Sequence, residues 1–164
     1  MDSRICLLLA VFVLCVPGGF ATCRNGWVTF ENTCYLFSHG MSTWGEAVAT
    51  CLALHSNLAV ISSADEQNFL ISELYHLHGS DASTAQYWID GTDLEVENVW
   101  KWAQTGETLS YVNWAGGEPN NAQSGNCMNL WGQGGFKMAD DNCERKFFYI
   151  CQKSEAEGTG VVIG

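Results

Sequence analysis

The cysteines after residue 22 constrain what this chain can fold into more than any other feature. Of the eight cysteines, two lie in an apolar segment, residues 5–16, that follows Arg4 and precedes small residues up to Ala21. This pattern predicts a secretory signal peptide at residues 1–21. Because exported proteins fold in an oxidising compartment, the other cysteines predict disulfide bonds, and their spacing alone leaves the pairing open. They are Cys23, Cys34, Cys51, Cys127, Cys143 and Cys151.

The length of the leader and of the remaining chain predicts a secreted, extracellular protein of one domain. Residues 5–16 are shorter than the ~20 apolar residues that a helix needs to cross a bilayer, so we expect no membrane span. About 140 residues follow the leader, the usual size of a single domain. We place this domain at residues 22–153, followed by an acidic and then glycine-rich disordered tail at residues 154–164.

Charge and motif content exclude several classes of function. The formal net charge of −11 disfavours binding to nucleic acid and to anionic membranes. A zinc site is disfavoured because the chain has no paired Cys-x-x-Cys motifs. The four histidines are interpreted as surface or helix-terminal residues. Because the sequence also lacks a Gly-x-Ser-x-Gly motif and a distinguishable pair of catalytic carboxylates, we do not expect an enzyme.

Short strands and two helices are predicted before and after a long loop region. Thr43 with Glu46, and Ser63 with Glu66, are capping-box signals that begin two amphipathic helices. The apolar stripe of the second helix ends near Gly79, a plausible stop. Strands are predicted at residues 26–30, 34–37, 87–91 and 147–151.

Residues 100–137 have little periodicity and many glycine, asparagine and tryptophan residues. A loop region of this length inside a compact domain is usually functional. In it, Glu118 and Asn120 place a carboxylate and an amide oxygen on either side of Pro119, and Asp140 follows as a second carboxylate. Hard oxygen donors of this kind suit calcium.

The Glu118-Pro119-Asn120 motif, with the cysteines and tryptophans around it, resembles the mannose-type motif of the C-type lectin domain. The resemblance implies an α+β fold with two helices, small antiparallel sheets, a long loop region and three disulfides. It also implies a cis Glu118–Pro119 peptide and a calcium ion that binds two neighbouring sugar hydroxyls directly. The implied disulfide pairs are Cys23–Cys34, Cys51–Cys151 and Cys127–Cys143.

The resemblance assigns candidate residues to a calcium and carbohydrate site. Glu118, Asn120 and Asp140 match calcium- and sugar-binding positions of the family. Asn126 is the candidate for a fourth ligand, and Trp131 is the candidate for contact with a sugar ring. The tryptophans that coincide with core positions of the family are Trp88, Trp102 and Trp114.

Three positions depart from the family's pattern. The family usually has a glutamate shortly before the equivalent of Cys127, and this chain lacks it. Ala139 stands where the family has an asparagine ligand. Because calcium affinity follows the number of charged ligands, these two changes weaken the predicted site. Asp90 interrupts the family's Trp-Ile-Gly-Leu strand, which predicts an altered strand end.

Two hypotheses about function follow. The first is a secreted, calcium-dependent lectin that binds mannose- or N-acetylglucosamine-type glycans on microbial or cell surfaces, as in innate immune recognition or agglutination. A non-covalent homo-oligomer is compatible with it. The second is a calcium-independent lectin-like interaction, or a matrix protein that binds mineral, ice or another protein.

Overall fold

The structure, a computed structural model, describes residues 4–9, 12–17, 23–120 and 124–154. In the leader, β1 (Arg4–Leu9) and β2 (Phe12–Pro17) form an antiparallel pair that is separate from the main sheet. The predicted cleavage after Ala21 falls outside the described residues, and so does the predicted tail at residues 154–164 except for Ser154, which is the last residue of a strand. No helix within the described ranges is long and apolar enough to cross a membrane.

The predicted N-terminal hairpin is present as β3 (Val28–Phe30) and β4 (Thr33–Phe37), which pair in antiparallel orientation. The tight turn between them places Glu31 in the left-handed region, with φ 51°. The Cys23–Cys34 disulfide, with Cα atoms 5.6 Å apart, ties the chain before β3 to β4. The first implied disulfide pair is therefore confirmed.

Both predicted helices begin at their predicted caps. Thr43 and Glu46 make the two reciprocal hydrogen bonds of a capping box. The hydroxyl of Ser63 accepts from the backbone N–H of Glu66. The Glu66 side chain does not return to Ser63 but is buried, and it accepts from the hydroxyl of Tyr35. The helices are α1 (Trp44–Ala53) and α2 (Ala64–His78).

The remaining strands complete one eight-stranded sheet. Its order is β3-β4-β10-β6-β8-β9, with β5 paired to β10 and β7 paired to β6. The sheet is mixed, because β10 and β6 run parallel, and this pair joins the small antiparallel sheets that were expected. The closing strand runs to Ser154, three residues beyond the predicted end. These strands are β5 (Asn57–Leu58), β6 (Gln86–Thr92), β7 (Lys101–Trp102), β8 (Cys127–Trp131), β9 (Lys137–Asp141) and β10 (Phe148–Ser154).

The other two implied disulfides are also confirmed. One bond, Cys51–Cys151, joins α1 to β10 and closes a loop with a sequence separation of 100. The other, Cys127–Cys143, joins the start of β8 to the chain just after β9. A cross-link over about 100 residues removes roughly 4.7 kcal/mol of unfolded-chain entropy in the simple loop model, and one over about 15 residues removes roughly 3 kcal/mol.

Each helix contributes to a buried core on the sheet. Leu70 and Leu74 of α2 belong to the larger core, which includes residues of β4, β6, β8 and β10. Ala47 and Cys51 of α1 belong to the smaller core around Trp88. The expectation that Trp88 and Trp102 are core residues is confirmed, and Trp114 is partly buried against the larger core.

Asp90 is a fully buried carboxyl group in the middle of β6. Its Oδ2 accepts from the backbone N–H of Gln104 at 3.1 Å, whereas its Oδ1 has no hydrogen-bond partner among the described residues. Burial raises the pKa of this carboxyl to about 7. The strand does not end at this residue, as Asp90 was expected to cause, but continues to Thr92, and its register with β8 shifts between Trp88 and Thr92.

Replacing Asp90 with asparagine should change how stability depends on pH. The raised pKa means that the folded protein keeps this proton where the unfolded chain releases it, so the contribution of Asp90 to stability is lost as pH rises through about 7. The wild-type protein should lose up to about 4 kcal/mol relative to Asp90→Asn between pH 4 and pH 8. Denaturant unfolding at several pH values measures this difference.

The exposed Asp65 on α2 provides the control for this experiment. Because Asp65 is not buried, Asp65→Asn should leave the slope of stability against pH unchanged above pH 5. Parallel pH profiles for the wild-type protein and Asp90→Asn would contradict the assigned environment of Asp90.

Candidate functional site

The candidate loop is attached to the outer edge of the sheet. β9 is the last strand of the sheet, and Trp114 forms a parallel bridge with Met138 of that strand. The N–H of Ala115 donates to the Met138 carbonyl at 2.8 Å, and the N–H of Met138 donates to the Asn113 carbonyl at 2.9 Å. These bonds fix the point from which residues 116–120 leave the sheet.

A tight turn brings the acid and the amide of the motif together. Gly117 has φ +90°, a conformation that glycine adopts without steric cost. The N–H of Glu118 closes the turn on the carbonyl of Ala115 at 3.0 Å. The Glu118–Pro119 peptide is cis, as the resemblance implies. The side-chain amide of Asn120 donates to Oε1 of Glu118 at 2.7 Å, so the two groups are in direct contact.

Asp140 links this turn to β9. Its side chain is only 3% exposed, and its Oδ1 accepts from the backbone N–H of Asn120 at 2.7 Å. The structure therefore brings together Glu118, Asn120 and Asp140, and we call these three residues the loop cluster. Asn120 and Asp140 are separated by 20 positions in the sequence, so the contact depends on the fold.

Two acidic side chains share the loop cluster, and this shifts the pKa of one of them. The pKa of Glu118 is raised to about 7, first by burial and then by hydrogen bonding and charge repulsion from Asp140. Asp141 adds a smaller repulsion, although its carboxylate also pairs with Arg145 at 2.8 Å. A cation between Glu118 and Asp140 would remove the repulsion between them.

The donor atoms of the loop cluster fit calcium. Oε2 of Glu118 is buried and has no hydrogen-bond partner among the described residues, so a cation can use it. The other donors are carboxylate and amide oxygens, which calcium prefers. Across the described ranges, no group of three or more histidine, cysteine, aspartate and glutamate side chains is arranged for a metal ion. Amide oxygens would therefore have to complete the ligand set of the two acids.

Asn126 lies beside a carboxylate that the sequence analysis did not identify. Its backbone carbonyl accepts from the Thr92 hydroxyl at 2.7 Å and from the Asp93 N–H at 3.3 Å. Asp93 is 4% exposed, and its Oδ1, like Oδ1 of Asn126, is buried without a partner in the described part of the chain. Each of these two residues therefore has a buried side-chain oxygen that accepts no hydrogen bond from the described residues. A carboxylate placed directly after a strand would have been the signal for Asp93.

At position 139 the side chain supplies no oxygen. Asn129 lies directly opposite Ala139 on β8. Its Nδ2 donates to the carbonyl of Ala139 at 3.3 Å. Because β8 is the inner neighbour of β9, Asn129 lies on the side of β9 away from the candidate loop. With alanine at position 139, the chain lacks the side-chain amide that is a ligand at this position in the family.

Trp131 is not part of the loop cluster. It pairs with Lys137, whereas Asp140 pairs with Met128. Because side chains alternate across a strand, Trp131 and Asp140 point to opposite faces of the sheet. The stretch from Asn126 to Trp131 also corresponds to about 17 Å of extended chain. The structure thus separates Trp131 from the residues with which the sequence analysis grouped it.

Comparisons with known proteins agree with this fold. A family model described as the lectin C-type domain matches residues 41–153. Among curated proteins, CD209 antigen-like protein 2 of Macaca mulatta is 34% identical over 152 residues, which are 92% of this chain and 54% of that protein. The chain therefore spans about half the length of this relative.

Solved structures similar to this chain include a carbohydrate-recognition domain and an antifreeze protein. The carbohydrate-recognition domain of the mouse scavenger receptor C-type lectin has a TM-score of 0.71 and 31% identity, covering 81% of this chain and 97% of that chain. A calcium-independent type II antifreeze protein has a TM-score of 0.69 and 26% identity, covering 81% of this chain and 95% of that chain. The fold is thus shared with proteins of different binding activities.

Replacing Asp140 with asparagine should lower the pKa of Glu118. The substitution removes the charge that repels the Glu118 carboxylate but keeps an oxygen that can accept from the Asn120 N–H. Because burial remains, the pKa should stay above its ordinary value. Carboxyl NMR titration in the presence of a chelator measures this pKa.

Asp141→Asn is the matched control, because Asp141 makes the smaller contribution and already pairs with Arg145. It should move the Glu118 pKa less than Asp140→Asn does. An unchanged Glu118 pKa in Asp140→Asn would mean that the two carboxyl groups are not adjacent in solution.

Proposed function

The chain belongs to the C-type lectin domain family, and on that basis we propose that it is a secreted, calcium-dependent lectin. Its ligands are mannose- or N-acetylglucosamine-type glycans on microbial or cell surfaces, and its role is innate immune recognition or agglutination. It acts by binding and not by catalysis. The observation that carries the proposal is the loop cluster, in which two mutually repelling carboxyl groups and an amide lie in contact at one point.

Calcium, when bound, would coordinate two neighbouring sugar hydroxyls, and the residues of the loop cluster would orient those hydroxyls. The carboxylate of Glu118 accepts a hydrogen bond from one hydroxyl, and the amide of Asn120 donates one to the other. In the structure these two groups bond to each other at 2.7 Å. A sugar diol replaces that contact with one hydrogen bond to each group. This order of acid and amide is the one that favours equatorial hydroxyls in the family.

Calcium would be held by Glu118, Asn120 and Asp140, with Asn126 as the proposed fourth ligand. Because Ala139 contributes no side-chain oxygen and the glutamate before Cys127 is missing, affinity for calcium should lie at the weak end of extracellular sites, about 10⁻³ M. At extracellular calcium concentrations the site would then be only partly occupied. Sugar binding should therefore respond to added calcium.

A single exposed sugar site gives a dissociation constant of about 1 mM, or about −4 kcal/mol. Recognition of a surface would therefore need several sites in one assembly. The cysteines of the domain are used in intrachain disulfides, so such an assembly would be a non-covalent homo-oligomer.

A second candidate function is a calcium-independent interaction, as in a matrix protein that binds mineral, ice or another protein. The alanine at position 139 favours it, because alanine supplies no side-chain oxygen to an ion. The similarity to a calcium-independent type II antifreeze protein supports the same candidate.

The exchange Glu118→Gln with Asn120→Asp tests the proposed site without changing net charge. Calorimetry with calcium followed by mannose, N-acetylglucosamine or galactose should show binding of the first two sugars to the wild-type protein. The exchange should weaken mannose binding about tenfold or more, because a hydrogen bond to each hydroxyl is lost and the remaining groups are left mismatched.

The exchange Glu107→Gln with Gln104→Glu is the matched control, since both residues are exposed and lie outside the loop cluster. It should leave sugar binding unchanged. Unaltered sugar preference after the exchange at residues 118 and 120 would reject the assigned site. Glycan binding that persists undiminished in a chelator would favour the calcium-independent function.

A further inference from the structure

A pocket of about 310 Å³ is lined by residues of β4, β10 and β6, whereas the loop cluster is attached to the edge strand β9. We call it the aromatic pocket, because the rings of Phe37, Tyr87, Phe148 and His78 line it, with Leu77 at its edge. It lies at the first residues of β6 and β10. The loop cluster is attached to β9, two strands beyond β6 in the sheet order, and none of its residues lines the pocket.

Strand register explains why aromatic rings converge here. Phe37 of β4 pairs with Ile150 of β10, and Phe148 of β10 pairs with Tyr87 of β6. Because residues two apart on a strand share a face, these three rings lie on one face of neighbouring strands. Helix α2 contributes Leu70 and Leu74 to the core with Phe37 and Tyr87, and it ends at His78. The pocket is the part of this face that lies past the end of the helix.

The aromatic rings that line the pocket pack against one another. Tyr87 and Phe148 are stacked with centroids 5.2 Å apart, and Phe37 meets Tyr87 edge-on at 6.3 Å. His78 packs against Phe148 at 5.7 Å. Pockets of about 300 Å³ or more with apolar, aromatic linings and few polar groups are typical small-molecule sites. The size here suits one aromatic ring with a short substituent.

The polar atoms of the pocket favour a ligand that donates hydrogen bonds. The hydroxyl of Tyr87 is 2.8 Å from Nε2 of His78. In the His78 tautomer that leaves Nε2 without a proton, the Tyr87 hydroxyl, whose pKa burial raises to about 12, donates to that nitrogen. Its oxygen then remains as an acceptor. The hydroxyl of Ser38 is already used, since it donates to the Gly40 carbonyl and accepts from the Tyr149 N–H.

Charge favours a cationic ligand. The residues that line the pocket include no lysine, arginine, aspartate or glutamate, its two histidines are His39 and His78, and the chain carries a formal net charge of −11. The C-terminal end of α2 meets the pocket at His78, and the negative end of a helix dipole stabilises a nearby cation. Aromatic faces add a favourable interaction with an ammonium group.

We propose that the aromatic pocket is a second binding site, for a compact aromatic amine, meaning a single ring that carries a short ammonium chain. The ring occupies the space between the aromatic walls, and the hydrogen-bond donor of the ligand reaches the oxygen of Tyr87. This site uses none of the residues of the loop cluster, so it should bind its ligand in the absence of calcium.

Saturation-transfer NMR and calorimetry with tyramine, at pH 8 in a chelator, test this proposal. Tyramine should bind the wild-type protein, and the anion 4-hydroxyphenylacetate should bind about tenfold more weakly because it lacks the cation. Leu77→Trp should abolish binding by filling the pocket from its rim. Leu52→Trp is the matched control, since both leucines are exposed helix residues and Leu52 lies outside the pocket.

Tyr87→Phe provides a second, milder variant that keeps the ring and removes the acceptor oxygen. It should weaken tyramine binding about fivefold, as expected for the loss of one hydrogen bond. Absence of tyramine binding to the wild-type protein at millimolar concentration would overturn the proposal. Equal binding of the amine and the anion, or undiminished binding to Leu77→Trp, would overturn it as well.

Discussion

The site depends on one hydrogen bond, from the backbone N–H of Asn120 to the carboxylate of Asp140. This bond holds the tip of a loop with little regular structure against the edge strand β9. It also brings the Glu118 carboxyl next to Asp140, which creates the repulsion that a cation would relieve. Without this contact the acid and amide of the motif would still bond to each other but would not be held beside Asp140.

The scaffold fixes the partners of that bond through disulfides and strand pairing. The Cys127–Cys143 disulfide links the start of β8 to the chain just after β9. Asp140 of β9 also pairs with Met128 of β8, so both connections fix its position. Cys51–Cys151 fixes α1 on β10. The bridge between Trp114 and Met138 then adds the first part of the loop to the sheet edge. The position of the loop cluster is thus set by the sheet, and the loop itself supplies only the last few residues.

Local signals predicted much of the fold, because they depend on neighbouring residues. The caps at Thr43 and Ser63 and the closing strand are set by short-range hydrogen bonds and side-chain pattern. The disulfide pairing and the cis peptide came from the resemblance to a family and not from spacing. The parallel pairing of β10 with β6 was not predicted, since it joins segments about sixty residues apart and leaves no local pattern.

The sequence indicated which residues of the motif lie together, but it did not indicate the contacts that strand geometry decides. Glu118, Asn120 and Asp140 came together as the motif suggested. Trp131 is close to Asn126 in sequence but lies on another face, because strand register determines its direction. Asp93 is distant in sequence and adjacent in space to Asn126. The aromatic pocket likewise gathers rings from three strands and a helix, which sequence order does not reveal.

Calcium binding by the loop cluster is the central claim, and backbone amide NMR during a calcium titration tests it most directly. We predict saturable changes in the amide chemical shifts of Glu118, Asn120 and Asp140, with smaller changes at exposed residues far from the loop. Titration to about 10 mM, roughly ten times the weakest constant expected for an extracellular site, is sufficient. Amide shifts that stay unchanged at these three residues over that range would contradict the account.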